Sequence, residues 1–280
     1  MNSNAISALP RPLLWLLCLV LTACTTSPTG RSQFMIISPE AAIVQSQKAY
    51  QQTIESLREN KTLSDDQRLA DRVQRITGRL ITVAQEQFPE SRSWDWSVAL
   101  IADDDTVNAW CMAGGRMAVY TGLFAQLELS DDEFAQIMGH EIAHALAHHS
   151  AEKISRALAA QIGLTAITAS SGNSQAVSSG AELAATLALE LPNSRIAESE
   201  ADVIGLELAT LTGFDPKAAV TLWQKMGALS ERRPPAFLST HPDPSQRLTK
   251  LAQQAETVTG LNPNRVKAPI FPVTIIYQQD

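Results

Sequence analysis

The sequence predicts an α+β fold, mainly α-helical, with one small antiparallel β-sheet beside a helix that carries most of the histidines. Three observations lead there. Helix starts recur: Ser38-Pro39-Glu40, Ser64-Asp65-Asp66-Gln67, Ser130-Asp131-Asp132-Glu133 and Asn193-Ser194 each put a capping side chain ahead of an apolar stripe. Between residues 94 and 120 the pattern turns to alternation, with Trp94, Trp96, Val98 and Leu100 separated by Asp95, Ser97 and Ala99, and Gly114-Gly115 marks a turn. A chain of 280 residues, 45% hydrophobic and 18% charged, has enough apolar surface for one globular core and is not a disordered polymer.

The elements follow in order. Pro39 at the first helical position opens a helix to about residue 57. A second helix carries Leu69, Val73, Ile76, Leu80, Ile81 and Val83 at helical period. After the strands, an amphipathic helix runs from Phe134 to about Leu158 and holds four of the five histidines: His140, His144, His148 and His149. Residues 157–191 are nearly uncharged, but the stretch at 170–175 interrupts them. They read as two helices with a flexible joint that could cover a cleft, and no continuous span reaches membrane length. Ser194 caps a helix over Arg195–Leu211 that ends at Gly213, and Asp215-Pro216 opens the next, to about Leu229. Pro234-Pro235 marks a loop, His241-Pro242-Asp243-Pro244 precedes a last helix to about Ala255, and residues 256–280 form a Pro-interrupted tail.

The N-terminus reads as an address. Arg11 precedes the apolar run 13–21, which has the length of a signal-peptide core and is shorter than the roughly 20 residues of a membrane span. Leu21-Thr22-Ala23-Cys24 then resembles the bacterial lipobox, whose cysteine is lipidated. Residues 1–23 are therefore expected to be a lipoprotein signal peptide, Cys24 the membrane anchor, residues 24–37 a tether, and residues 38–255 the working domain. Thr25 after the cysteine resembles the outer-membrane sorting pattern, which puts the expected location on the periplasmic side of that membrane. Cys18 would leave with the signal and Cys24 would carry lipid, so Cys111 has no partner and no disulfide framework is expected. A net charge of −7 argues against nucleic acid as a partner.

The chemistry centres on His140-Glu141-Ile142-Ala143-His144. One helical turn separates the two histidines on a common face, so both imidazoles can reach one tetrahedral zinc, and Glu141 lies where a carboxylate can take a proton from water. By chance this pattern would occur about 0.005 times per chain of this composition. On a continuous helix His148 sits about 80° from His140 and His149 roughly opposite, which makes both bystanders. A catalytic zinc takes a third protein ligand, for which Glu152, Glu182, Glu190, Glu198, Glu200, Asp202 and Glu207 are candidates. Glu198 and Asp202 share a face, Glu200 points about 200° from Glu198, and periodicity leaves Glu190 and Glu207 open.

The run Ser194 to Asp202 (SRIAESEAD), about fifty residues after the histidine motif, resembles the zinc metallopeptidases of family forty-eight. That family includes the CAAX prenyl protease, the HtpX protease, Oma-type proteases and periplasmic lipoproteins. Thr29-Gly30-Arg31-Ser32-Gln33, Val107-Asn108-Ala109-Trp110, Val119-Tyr120-Thr121-Gly122-Leu123 and Ser239-Thr240-His241-Pro242 with Arg247 extend the resemblance over roughly residues 29–250. Cys111-Met112-Ala113 departs from it where the family often has a proline before the glycines. The resemblance implies a zincin-type, gluzincin-like fold binding one Zn2+ per chain through His140, His144 and Glu198. Glu141 would be the general base, and Asp202 would accept a hydrogen bond from a ligating imidazole. His241 would lie near the metal as a gate or transition-state aid, with His241 or Arg195 steadying the oxyanion. The strand at Asn108 and Ala109 would pair with an extended substrate. It implies a zinc endopeptidase of the bacterial envelope that cuts misfolded or membrane-associated proteins. An alternative is an envelope assembly factor or chaperone with latent proteolysis, working with the assembly machinery.

Overall fold

The computed structural model describes residues 24–170, 193–232, 234–241 and 247–278, with the backbone alone at 24 and over 162–170. The segment expected to be a tether forms a hairpin, β1 (Cys24–Thr26) with β2 (Ser32–Phe34), paired antiparallel. Helix α1 (Pro39–Glu59) follows, its N-cap Ser38 accepting from the Ala41 amide at 3.2 Å. Helix α2 (Gln67–Gln87) is capped by Asp66, two residues later than the expected Ser64. The reason lies in the sheet: Leu63 still bridges to Ile101 and the Ser64 amide donates to the Leu100 carbonyl, so the chain is extended there and cannot yet turn.

The sheet comprises β3 (Ser97–Ile101), β4 (Ala109–Met112), β5 (Arg116–Tyr120) and β6 (Thr274–Ile276), in the order β4-β5-β3-β6. It is mixed, which corrects the antiparallel expectation: β4 and β5 form the Gly114-Gly115 hairpin, whereas β3 runs parallel to both β5 and β6. Two crossings produce this. The chain after β3 passes β5's position to reach β4, and the C-terminal segment returns over α2 to supply β6. Gly114 and Gly115 have φ of +83° and +78°, and a side chain at Gly115 would overlap the Trp96 ring. Strand β4 is a sheet edge.

Helices α3 (Gly122–Leu127) and α4 (Asp131–Leu146) complete the core. Ser130 and Glu133 form the expected reciprocal capping box on α4, at 3.2 and 2.8 Å. Phe134, Ile137, Met138 and Ile142 are buried on α4 against the sheet and α2. The expected single helix to residue 158 is broken: α4 ends at Leu146, His148 takes a left-handed φ of 54°, and α5 (His149–Ser170) starts in a new direction. Gln33 in the N-terminal hairpin donates to the Ala147 carbonyl at 2.7 Å and so satisfies a group that a continuous helix would have used.

Among the described residues four helices follow: α6 (Arg195–Leu211), α7 (Ala218–Ser230), α8 (Ala236–Thr240) and α9 (Arg247–Val258). Helix α6 crosses α4 at backbone contact. A Cβ on Gly139 would come 2.8 Å from the Gly205 carbonyl, and one on Gly205 would come 2.7 Å from the His140 amide. Those two glycines bring the first turn of α6 onto the histidine motif. Among the described residues no helix is long and apolar enough to cross a membrane.

Candidate metal centre

Donor atoms of His140, His144, Glu198 and His241 lie within 4.8 Å of one another, and all four residues are buried. Helix α4 supplies the two histidines, and the first turn of α6, capped by Ser194 at the Ala197 amide (3.2 Å), supplies Glu198. His241 ends α8, its ring stacked on Phe237 at 4.3 Å between centroids, and the Phe237 amide ties that helix to the Val107 carbonyl beside β4.

The donor set fits a zinc-like cation. His140 Nε2 is 3.0 Å from His144 Nε2 and 3.3 Å from His241 Nδ1. Glu198 oxygens lie 3.3 Å from His140 Nε2, 3.4 Å from His144 Nε2 and 3.1 Å from His241 Nδ1. A tetrahedral zinc with bonds of roughly 2.0–2.1 Å has ligand edges of about 3.3–3.4 Å, close to these separations. The hydrogen-bond network agrees with this. Asp202 Oδ1 sits 3.1 Å from His140 Nδ1 and fixes a proton there, leaving the Nε2 lone pair inward. His144 Nδ1 meets His149 Nδ1 at 2.8 Å, and His149 Nε2 meets Glu200 at 3.0 Å. Two imidazole lone pairs and a carboxylate that converge in this way are satisfied by a cation.

Charges around the cluster are strongly perturbed. Burial alone would lower His140, but the hydrogen bonds that it donates to Asp202 and Glu198 lift it to about 9, so a metal would take the place of the proton on Nε2 and use the lone pair left there. Burial drives His144 well below its ordinary value, and burial pushes the Glu141 carboxyl up, with the Glu198 charge adding to it. Glu198 is held far below the carboxylate range despite its burial, first by His144. Glu141 Oε1 is buried without a hydrogen-bond partner among the described residues, 3.4 Å from His241 Nε2. It lines a cavity of about 330 Å³ together with Asn108, Trp110, His144, Lys153 and His241. Burial lowers the Lys153 ammonium there to about 8.

The structure brings His140, Glu141, His144, Glu198, Asp202 and His241 together. Asn108 lines the same cavity, with its Oδ1 unpaired among the described residues, and Ala109 begins the edge strand β4. Arg195 is not in the site: at the first position of α6 it is exposed, and the guanidinium beside the cluster belongs to Arg247. Arg247 is buried, with contacts to Glu198 at 3.3 Å and Asp202 at 2.5 Å, over the Trp223 ring at 3.8 Å. Glu200 points away from the cluster to His149, and Glu152 pairs with Arg31 at 2.6 Å. Glu207 is exposed, and Glu182, Glu190 and the joint at 170–175 fall outside the described residues, apart from the backbone of residue 170. His149, expected as a bystander on an unbroken helix, meets His144 because the helix breaks after Leu146. His148 instead faces Trp94, 6.5 Å between ring centres. Cys111 is buried and burial pushes its thiol well above the ordinary value, which suits packing rather than reactivity.

A mainly helical fold with a mixed sheet, two histidines one turn apart with a glutamate between them, and a glutamate from a crossing helix define a zincin-like metalloprotease. The chain belongs to Peptidase family M48, whose profile matches residues 67–255. It is 38% identical over 164 residues to Mitochondrial metalloendopeptidase OMA1 of Arabidopsis thaliana, covering 59% of this chain and 32% of that protein. It is 30% identical over 241 residues to Metalloendopeptidase OMA1, mitochondrial, of Bos taurus, covering 81% and 45%. With the Beta-barrel assembly-enhancing protease of Escherichia coli (strain K12) it shares 28% identity over 168 residues, covering 55% and 34%. The chain thus spans from about a third to just under half of these relatives' lengths.

Proposed function

We propose that the chain is a zinc-dependent endopeptidase of the bacterial cell envelope. The observation that carries the peptidase reading is the meeting of His140, His144, Glu198 and His241 beside a partnerless Glu141 oxygen in an open cavity. Held by His140, His144 and Glu198, a zinc would supply Lewis-acid polarisation of a peptide carbonyl and would make a water more acidic. Glu141, its basicity raised by burial, takes that proton and returns it to the leaving amine. Asp202 keeps His140 in the ligating tautomer. Among the described residues β4 has no strand partner on its outer side, and Asn108 and Ala109 stand at its start, where an extended segment can align its backbone. His241 has a dual placement, Nδ1 toward Glu198 and Nε2 toward Glu141, that suits a gate leaving the cluster to admit substrate and then steadying the oxyanion.

The envelope part of the reading rests on the lipobox-like Leu21-Thr22-Ala23-Cys24 and on bacterial relatives with Beta-barrel assembly-enhancing protease as their name. It assigns Cys24 as the lipid anchor, the periplasmic side of the outer membrane as the location, and misfolded or membrane-associated envelope proteins as substrates. That relatives' name also favours a second role in assembly, with the envelope assembly machinery as partner. The test is Glu141→Gln: it should keep one zinc per chain and lose casein cleavage by about 10²–10⁴-fold, while capturing uncut envelope proteins. Undiminished cleavage would remove the catalytic assignment, and captured assembly proteins that wild type never cuts would favour the second role.

A further inference from the structure

We propose that Arg31, acting through Glu200 and His149, is a positioning residue for the metal ligand His144, which makes the N-terminal hairpin part of the metal centre's support. The inference rests on the metal reading above. It starts from an asymmetry: His144 Nδ1 faces a second imidazole instead of a carboxylate, at 2.8 Å from His149 Nδ1. Only one of those nitrogens can carry the shared proton. For His144 to present a lone pair at Nε2, its Nδ1 must be the donor and His149 Nδ1 the acceptor. That requires the His149 proton to sit on Nε2, where Glu200 Oε2 accepts it at 3.0 Å. The tautomer of the ligand is therefore set by a carboxylate two residues removed along a chain of contacts.

Glu200 is itself held from the hairpin. Thr29 Oγ1 donates to Glu200 Oε1 at 2.6 Å, and Arg31 Nε donates to Glu200 Oε2. The other end of the same guanidinium grips both oxygens of Glu152 on α5, at 2.6 and 3.1 Å. Both carboxylates are almost wholly buried, with side-chain exposures of 2% and 3%, so a charge-matched planar fork is what makes their burial tolerable. Gln33 adds a contact at the end of α4, 2.7 Å to the Ala147 carbonyl. Arg31 and Gln33 thus clamp the three helix segments whose relative placement decides where His149 points: the end of α4, the start of α5 and the first turns of α6. Thr29, Arg31 and Gln33 gain a physical role here that their sequence spacing alone did not give.

A clip that served only to hold the fold would lower stability without regard to which atom His149 offers, whereas a positioning chain depends on the acceptor. The test uses the full chain in detergent, stripped of metal, with zinc affinity measured by competition against a chromophoric chelator and the thermal midpoint of each metal-free variant recorded alongside. His149→Phe should weaken zinc about 10–100-fold, and His149→Gln, whose amide oxygen can accept from His144 Nδ1, should recover most of that loss. Arg31→Met should weaken zinc about tenfold, with Arg31→Lys intermediate because it lacks the fork. Wild-type affinity in either His149→Phe or Arg31→Met, or equal losses in His149→Phe and His149→Gln, would overturn the proposal. If Arg31→Met does not fold, Arg31→Lys takes its place, and wild-type affinity there would overturn it. Failure of wild type itself to take up one zinc would instead defeat the metal reading on which the proposal stands.

Discussion

His140 and His144 leave the same helix one turn apart, yet they are steadied from opposite sides by unlike chemistry. His140 Nδ1 meets the carboxylate of Asp202, which is tied to buried Arg247, so its support comes from α6 and α9 next to the site. His144 Nδ1 meets neutral His149, and its support runs on through Glu200 to the hairpin at Thr29 and Arg31. A carboxylate fixes a tautomer and supplies charge in one contact, whereas an imidazole fixes a tautomer only if something else fixes it. The two ligands should therefore fail differently: His140 through loss of an adjacent charge, His144 through loosening of a distant strap.

The largest effect expected is at the residue common to both sides. Glu198→Ala removes a ligand and leaves Arg247 without one of its two carboxylates, so zinc content by atomic absorption should fall well below one per chain and cleavage should be lost with it. Next, Asp202→Ala should weaken zinc about 10–100-fold by chelator competition, while Asp202→Asn, which keeps an acceptor, should lose less. Arg247→Met tests the charge behind that contact. With both carboxylates stripped of a buried partner, urea unfolding of the metal-free chain should show a loss of about 3 kcal/mol.

On the hairpin side the effect is smaller and depends on pH. Burial works against ionisation, but His149, Ser27, Thr29 and Arg31 hold Glu200 below the usual carboxylate range, and Arg31 does the same for Glu152. Groups whose folded pKa is depressed contribute fully above their unfolded value, about 4.3, and lose that contribution as pH falls below it. Thermal midpoints of the metal-free chain should thus begin to fall below about pH 6.5, where the unfolded chain protonates histidines that burial keeps neutral at His144 and His149, and fall further below about 4 as Glu200 and Glu152 protonate, with that second drop shallower in Arg31→Met. The smallest effect is expected at Cys111, buried and held as a thiol: Cys111→Ala should leave cleavage within about twofold, and iodoacetamide should not inhibit.

What the sequence made legible was local. Ser38, Ser130 and Ser194 cap helices through contacts within three residues of themselves, and the limits of α6 follow from Ser194 at one end and Gly213 at the other. The spacing of His140 and His144 is a property of one helix turn. The misreadings all depend on distant chain. The break after Leu146 is stabilised by Gln33, 114 residues away, and with it the place of His149. The parallel pairing of β3 with β6 comes from a segment more than 170 residues downstream. Arg247 displaces Arg195 from its expected role because helix geometry turns the first residue of α6 outward while α9 returns beneath Asp202.

Zinc K-edge X-ray absorption on the zinc-loaded chain tests the central claim most directly. The account predicts a four-coordinate shell at about 2.0–2.1 Å made of three imidazoles and one carboxylate oxygen, with one imidazole missing in His241→Ala. A sulfur neighbour at about 2.3 Å, a six-oxygen shell, or a spectrum unchanged by His241→Ala would contradict it.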